Sequence, residues 1–278
     1  MNGSKTNWWE LSLRVLFTLS IAYILLSLVL MFLQRRMLYF PTKLTPAQEA
    51  RLAAENGFVP WRDPAGQIIG WELPAKGRSV GAVLIVHGNA GCAVDRSYLA
   101  DPIHAAARVD VFVLEYPRYG ARAGSPGEKS FLAAADEAFA TLTNHGPIYV
   151  VGESLGNGVA AHLAKTHSRQ VSGMVLFMPY NRLTAVARAR LPLLPAQLLL
   201  WDRFAPEDWL ENYNGPIKFV LAGKDEIIPM KFGRRLFDSY NGPKRLQVFL
   251  NAHHNDVAEQ SPAWWKDVFE FWRQNAKR

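Results

Sequence analysis

The chain has 278 residues, of which 49% are hydrophobic and 20% are charged, enough for one large domain or two small ones with a substantial core. This composition excludes disordered, collagen-like and low-complexity proteins, and the single cysteine, Cys92, excludes an internal disulfide framework and a cysteine-based zinc site. The net charge of +7 suits attraction to anionic lipid. Nucleic-acid binding is not predicted, because the sequence has no basic clusters interleaved with aromatic residues.

The N-terminal segment has the composition of a membrane span. Residues 15–33 read VLFTLSIAYILLSLVLMFL and carry no charge. As a helix they cover roughly 28 Å, close to the thickness of the hydrocarbon layer. A cleaved signal peptide is the alternative, but the run is long for one and the following Gln34-Arg35-Arg36-Met37 offers no small-x-small cleavage site. We therefore predict an uncleaved single-pass anchor within residues 1–40, followed by a globular domain over residues 41–278.

The charges beside this run do not settle the side of the membrane on which the globular domain lies. Basic residues stand on both sides of it: Lys5 and Arg14 before, and Arg35, Arg36 and Lys43 after. The excess after the run favours a cytoplasmic C-terminal side only weakly.

From about residue 58 the pattern becomes that of an α/β protein. Residues 58–73 contain two short runs separated by Asp63-Pro64-Ala65-Gly66, which predicts a hairpin. Helical periodicity at residues 129–144 and 157–165 alternates with further apolar runs, which predicts about eight mostly parallel strands flanked by helices. Those runs are residues 82–86, 109–115, 148–151, 171–177, 217–221 and 246–250.

One segment departs from this alternation, and an amphipathic helix ends the chain's predicted elements. Residues 181–211 include Leu191-Pro192-Leu193-Leu194-Pro195 and Leu198-Leu199-Leu200-Trp201, and we interpret them as an insertion of short helices forming a small cap over the sheet edge. The last helix, predicted over residues 262–274, carries aromatic side chains at helical spacing. That stripe is expected to pack in the core.

The sharpest motif is Gly152-Glu153-Ser154-Leu155-Gly156, a G-x-S-x-G between a predicted strand and a predicted helix. Such a tight turn strains the serine backbone and exposes its hydroxyl above the carboxyl edge of the sheet. The helix N-terminus beneath supplies free N–H groups for developing negative charge. Ser154 is therefore the candidate nucleophile.

A serine nucleophile needs a histidine base, and the base needs an acid to orient it. In folds that carry the serine on such a strand-to-helix turn, the order along the chain is serine, acid, histidine. His162 and His167 lie on the helix after the serine and can hardly fold back onto it. His253 and His254 follow the last predicted strand, where the loops converge, and spacing alone leaves the choice between them open.

The candidate acid is Asp225, which follows the strand at residues 217–221, and Glu226 is the runner-up. Asp202 and Asp208 fall in the insertion and are expected to be surface or capping groups. Asp256 is expected to cap the terminal helix.

The oxyanion hole is expected to use two backbone N–H groups. One is that of Leu155, after the nucleophile, and the other comes from His87-Gly88-Asn89-Ala90-Gly91, with Asn89 favoured and Ala90 the alternative. His87 precedes the serine and is expected to brace this loop by hydrogen bonds. Cys92 is expected to be a small buried filler.

These motifs, together with Tyr116-Pro117-Arg118-Tyr119-Gly120, Gly223-Lys224-Asp225 with Pro229, and His254-Asn255-Asp256, resemble the α/β-hydrolase family. The closer resemblance is to its membrane-anchored ABHD and bud-emergence type serine hydrolases, which have one N-terminal transmembrane helix and a step like Tyr39-Phe40-Pro41 after it. The resemblance covers roughly residues 35–275. It implies Ser154 as nucleophile, Asp225 as acid and His254 as base, because the family's catalytic histidine precedes Asn-Asp. One departure is Arg118, where the family usually has a small residue or glycine.

The sequence thus predicts a membrane-tethered serine hydrolase that cleaves carboxylic ester or thioester bonds. Its expected substrates are lipid-like or acylated molecules, and its expected partner is membrane lipid. The apolar stretch 191–201 is expected either to form an acyl pocket or to dip into lipid. No metal or cofactor is implied. Two alternatives remain: a non-catalytic membrane binding protein on a hydrolase scaffold, and a serine peptidase.

Overall fold

The computed structural model describes residues 7–276, so Lys5 lies outside the described part of the chain. The described helices are α1 Trp8–Leu38, α2 Pro46–Glu55, α3 Ser97–Ala106, α4 Glu128–Thr141, α5 Gly156–Thr166, α6 Leu183–Arg190, α7 Ala196–Leu199, α8 Pro206–Trp209, α9 Met230–Ser239 and α10 Pro262–Gln274. The strands are β1 Phe40–Pro41, β2 Val59–Arg62, β3 Ile68–Leu73, β4 Ala82–Val86, β5 Ala90–Gly91, β6 Asp110–Leu114, β7 Ile148–Glu153, β8 Val171–Phe177, β9 Ile217–Ala222 and β10 Lys244–Phe249.

Eight of these strands form one twisted sheet in the order β10-β9-β8-β7-β4-β6-β3-β2. Neighbours from β10 to β6 pair in parallel, and only the β6-β3-β2 end is antiparallel. The predicted mostly parallel sheet of about eight strands is confirmed. Because parallel strands end at one edge, the loops after β4, β7, β9 and β10 meet there.

Helices cover both faces of the sheet, as the continuous apolar strands require. Alternate residues of β4 enter opposite cores: Leu84 packs on the side of α4, α5 and α9, and Ile85 on the side of α2, α3 and α10. The aromatic stripe of α10 lies in the second core, where Trp265 and Trp272 are fully buried. A side chain at Gly173 would overlap the Trp272 ring, so the close approach of α10 to β8 requires glycine there.

The predicted hairpin at residues 58–73 is also present. β2 and β3 pair antiparallel, and the turn between them places Gly66 at φ +82°. The Asp63 carbonyl accepts from the N–H of Gly66, and its carboxylate accepts from that of Gln67. An aspartate that satisfies the turn and a glycine in the left-handed region are the residues such a turn needs.

Helix α1 extends beyond the apolar run at both ends and is long and apolar enough to cross a membrane. Two of its hydroxyl groups use the helix itself: Thr18 donates to the carbonyl of Arg14 and Ser20 to that of Leu16. A hydroxyl satisfied in this way is compatible with an apolar environment.

The chain leaving α1 is fastened to the loop after β4 by a two-stranded pairing that the sequence did not predict. Phe40–Pro41 pairs in parallel with Ala90–Gly91. The Phe40 N–H donates to the Asn89 carbonyl at 2.9 Å, and the Asn89 side-chain amide donates to the Leu38 carbonyl at 2.7 Å. The end of the candidate span is therefore joined directly to the expected oxyanion loop.

The segment between β8 and β9 contains the short helices α6, α7 and α8, as its sequence pattern indicated. Asp208 lies on the surface and pairs with Arg182. Asp202 does not lie on the surface, contrary to one of the two expectations for it, because its carboxylate is enclosed between α1 and α4. It does cap a helix, since it accepts the Glu128 N–H at the start of α4.

The expectation for Asp256 was wrong. Its carboxylate accepts the His253 N–H and closes the short turn His254–Asp256. The terminal helix α10 is capped instead by Ser261, whose hydroxyl accepts the Trp264 N–H. Ser261 and Pro262 form the usual start of a helix, whereas the Asp256 carboxylate is taken up by the His253 N–H.

Candidate active site

Ser154 occupies the turn between β7 and α5 with φ +51°, a left-handed backbone that only a few per cent of non-glycine residues adopt. Its N–H donates to the Phe177 carbonyl at 2.9 Å, and the buried Asn157 side chain donates to the carbonyls of both Ser154 and Phe177. A side chain at Gly156 would overlap the Val86 carbonyl. The strained turn expected from G-x-S-x-G is therefore present, and its surroundings hold it in place.

A continuous hydrogen-bonded chain runs from this serine to a carboxylate. His254 Nε2 lies 3.0 Å from Ser154 Oγ, and His254 Nδ1 lies 2.7 Å from Asp225 Oδ2. The other oxygen of Asp225 accepts the N–H groups of Ile227 and Ile228 at 2.9 and 2.7 Å. All three side chains are buried. This arrangement fixes the imidazole with its proton on Nδ1 and its free nitrogen toward the serine.

The residues that competed for these positions lie elsewhere. His253 Nδ1 is 3.1 Å from Glu226 Oε2, and both side chains are exposed. His162 and His167 both bind Asp136, away from the serine. The structure thus brings together the preferred histidine and acid, and pairs the two runners-up with each other.

The loop after β4 passes beside the serine. A Cβ placed on Gly88 would lie 3.5 Å from the Cβ of Ser154, and the Gly88 N–H donates to the Glu153 carboxylate at 3.3 Å. In the described part of the chain, the N–H groups of Asn89 and Leu155 donate to no other protein group. Both remain available to an oxyanion, and nothing in the structure separates Asn89 from Ala90 as the second donor.

His87 braces the loop of residues 87–91 by a hydrogen bond, as expected. Its Nδ1 donates to the Gly88 carbonyl at 2.9 Å, its own carbonyl accepts from Tyr116, and its ring packs on those of Tyr116 and Tyr119. Burial lowers the pKa of His87 to about 3, so the imidazole is neutral at physiological pH. Cys92 is fully buried, and burial raises the pKa of its thiol, as suits a filler.

Arg118 adopts φ +79° in the loop after β6, and its side chain is exposed. A glycine reaches this backbone conformation without steric cost, which accounts for the small residue usual in the resembling proteins. Arg118 therefore carries backbone strain at the protein surface. The contacts among Ser154, His254 and Asp225 are present all the same.

Two buried carboxyl groups lie close to the loop of residues 87–91, and the sequence reasoning missed them. Glu49 and Glu115 converge beside Gly120, where any side chain would overlap both. Trp71 and the Ala121 N–H donate to Glu49, and the Ala93 N–H donates to Glu115. Burial raises the pKa of each carboxyl to about 7.

This pair predicts a loss of stability as the pH rises. In the unfolded chain the two carboxyls ionise near 4.5, whereas in the folded protein they stay protonated up to about 7. Between these values the folded state binds more protons, so raising the pH lowers the free energy of unfolding. Denaturant unfolding at pH 5 and pH 8 measures this difference. It should be smaller in Glu49→Gln, which imitates a protonated carboxyl, and an equal difference in both proteins would contradict the assignment.

A cavity of about 1000 Å³ reaches the serine and is lined mostly by apolar side chains. One wall is α1, through Leu30, Met31, Gln34, Met37 and Leu38, which recur at helical spacing on one face. A second wall is α6 with the segment of residues 191–201, named here the cap loop. From the cap loop, Leu191, Leu194, Ala196, Leu199 and Leu200 line the cavity. Nothing in the sequence pattern predicted that the candidate span would form part of the cavity wall.

Asp202 holds the end of α1 against the neighbouring parts of the protein. Its two oxygens accept hydrogen bonds from Arg35 Nε and Nη2 at 3.0 and 3.1 Å and from the Tyr39 hydroxyl at 3.0 Å. The same carboxylate accepts the Glu128 N–H at 3.0 Å. One buried side chain therefore joins the end of α1, the cap segment (residues 181–211, which include the cap loop) and the start of α4.

The sheet, the strained turn and the hydrogen-bonded residues at its carboxyl edge define an α/β hydrolase. The family profile described as the alpha/beta hydrolase fold matches residues 81–206. The chain is 32% identical over 253 residues to an uncharacterised protein of Mycobacterium tuberculosis, covering 87% of this chain and 89% of that protein. The chain belongs to the α/β-hydrolase family.

More distant relatives confirm the resemblance to the ABHD and bud-emergence type proteins. Protein bem46 of Schizosaccharomyces pombe is 27% identical over 187 residues, covering 63% of this chain and 62% of that protein. Lysophosphatidylserine lipase ABHD12 of Xenopus tropicalis is 23% identical over 204 residues, covering 65% and 52%. The Pyrococcus furiosus esterase Pf2001 shares the fold with a TM-score of 0.62 at 17% identity, over 84% of this chain and 98% of that one.

Proposed function

We propose that this protein is a membrane-tethered serine hydrolase that cleaves carboxylic ester or thioester bonds of lipid-like or acylated substrates. The observation that carries the proposal is the unbroken contact from Asp225 through His254 to Ser154, at 2.7 and 3.0 Å. A nucleophile, a base and an orienting acid within hydrogen-bond reach are the arrangement that acyl transfer needs.

In this mechanism Ser154 Oγ attacks the acyl carbonyl while His254 Nε2 takes the hydroxyl proton. Asp225 holds the imidazole in the required tautomer and stabilises its charged form. The N–H group of Leu155 and a second one, from Asn89 or its alternative Ala90, bind the oxyanion, each contributing about 3–4 kcal/mol to transition-state stabilisation. His254 then gives its proton to the departing alcohol or thiol, and a water molecule activated by the same histidine releases the acyl group.

The cavity supports the proposed substrate class. Its apolar lining, from α1, α6 and the cap loop, suits an acyl chain rather than a polar peptide. The relatives include a lipase and the structural neighbours an esterase, which agrees with ester substrates. The tether is α1, whose length and composition allow it to cross a bilayer.

A fluorophosphonate probe tests the nucleophile directly. We expect the folded full-length protein to become covalently labelled, and peptide mapping to place the adduct on Ser154. Heat-denatured protein is the control and should not react, since the serine is activated only by the folded arrangement. A well-folded protein that resists the probe and hydrolyses no p-nitrophenyl ester would overturn the proposal.

A further inference from the structure

The cap loop, residues 191–201, lies alongside the candidate membrane span. The Tyr23 hydroxyl donates to the Leu193 carbonyl at 3.0 Å, in the middle of α1. Near its end, Gln34 donates to the Leu199 carbonyl at 3.1 Å and accepts the Trp201 N–H at 2.8 Å. The interval from residue 23 to residue 34 covers roughly 17 Å of helix, about half the thickness of the hydrocarbon layer.

The cap loop has the composition expected of a segment in contact with lipid. It contains no charged residue, although Arg190 and Asp202 stand directly on either side of it. Its most exposed leucines are Leu193, at 86%, and Leu198, at 71%, and Gln197 beside Leu198 is an exposed polar side chain. A water-facing loop seldom presents large apolar side chains next to another apolar surface.

We propose that the cap loop is immersed with α1 in the hydrocarbon layer, and that the cavity between them receives the acyl chain of a substrate resident in the same bilayer. The acyl chain of the substrate reaches Ser154 along the wall made by Leu30, Met31 and Met37, without passing through water. This inference rests on the proposed function, since it requires both the tether and hydrolysis at Ser154. It assigns to α1 a second role, as the acyl-binding wall of the site.

The wall is tested by substitutions on opposite faces of α1 in the full-length protein. Met31→Trp should narrow the cavity, whereas Leu33→Trp, outside the cavity lining, is the matched control. Each methylene that the cavity accommodates is worth about fourfold in kcat/KM. We therefore expect Met31→Trp to lower the ratio of p-nitrophenyl dodecanoate to butyrate hydrolysis at least tenfold, and Leu33→Trp to leave it unchanged. Met31→Ala, which widens the cavity, should shift the preference toward longer chains.

Immersion is tested with two leucines of equal exposure. Leu198 is 71% exposed on the cap loop and Leu250 is 72% exposed after β10. Full-length protein is reconstituted in phosphatidylcholine vesicles, and hydrolysis of embedded monooleoylglycerol is compared with that of soluble p-nitrophenyl acetate. A carboxylate in hydrocarbon is costly, so Leu198→Glu should lower the embedded-to-soluble ratio at least tenfold. Leu250→Glu should not change it.

The outcomes separate this inference from the proposed function. If the wild-type protein hydrolyses neither ester, the proposed hydrolysis fails. If it hydrolyses both esters, but Met31→Trp leaves the dodecanoate-to-butyrate ratio unchanged and Leu198→Glu leaves the embedded-to-soluble ratio unchanged, the acyl wall and the immersion are wrong. The proposed hydrolase activity is then retained. A parallel arm replaces monooleoylglycerol with an S-palmitoylated peptide in the same vesicles, and the faster substrate identifies whether the acyl chain comes from a lipid or from an acylated protein.

Discussion

Ser154→Ala is expected to lower kcat for p-nitrophenyl butyrate hydrolysis on the order of 10⁶-fold, because it removes the atom that attacks the carbonyl. Asp225→Asn should cost on the order of 10⁴-fold. Asparagine keeps the oxygen that accepts the N–H groups of Ile227 and Ile228, and therefore turns its NH₂ group toward His254 Nδ1. The imidazole then carries its proton on Nε2 and no longer accepts the serine proton.

The control for these variants is His253→Ala. His253 adjoins the proposed base in sequence but binds Glu226 at the surface, so its removal should change kcat less than about threefold. Steady-state kinetics on the three variants, with unfolding curves to show that each is folded, measure the comparison. A His253→Ala enzyme as impaired as Asp225→Asn, or an active Ser154→Ala enzyme, would contradict the assignment of the residues.

Asp202→Ala is expected to lower the free energy of unfolding by about 3 kcal/mol, the largest stability effect that we predict. The substitution leaves the buried Tyr39 hydroxyl and the Glu128 N–H without an acceptor, each at a cost of about 1–3 kcal/mol. It also releases Arg35, whose side chain is partly exposed and regains water. Because the same carboxylate fastens α1 to the cap segment, the variant should also lose preference for long-chain esters.

The matched control is Asp208→Ala in the same segment. Its ion pair with Arg182 is partly exposed on both sides, and surface pairs contribute about 0–1 kcal/mol. Denaturant unfolding of the detergent-solubilised full-length protein compares the two variants. Equal effects would show that the burial of Asp202 between α1 and α4 has no energetic consequence.

The sequence predicted those features that local patterns encode. Strand and hairpin periodicity, the G-x-S-x-G between a strand and a helix, and the order of the motifs led to the α/β-hydrolase fold and family, which the sheet and the relatives confirm. The roles of Ser154, Asp225 and His254 remain predictions, although the structure brings their side chains into contact. Asp256 was misassigned although the helix begins at Pro262 as predicted, because Ser261 is its cap and the Asp256 carboxylate closes the preceding turn instead.

By itself, then, the sequence determined the class of fold, the motif that carries the nucleophile, and an apolar N-terminal run of membrane-spanning length. Only the tertiary structure decided that Asp202 is buried, that α1 forms a wall of the cavity, and that Glu49 meets Glu115. These contacts join residues far apart in the chain, such as Arg35 and Asp202, 167 positions apart. Periodicity reports which face of an element is apolar, but which distant surface that face meets is set by how the loops and layers pack together.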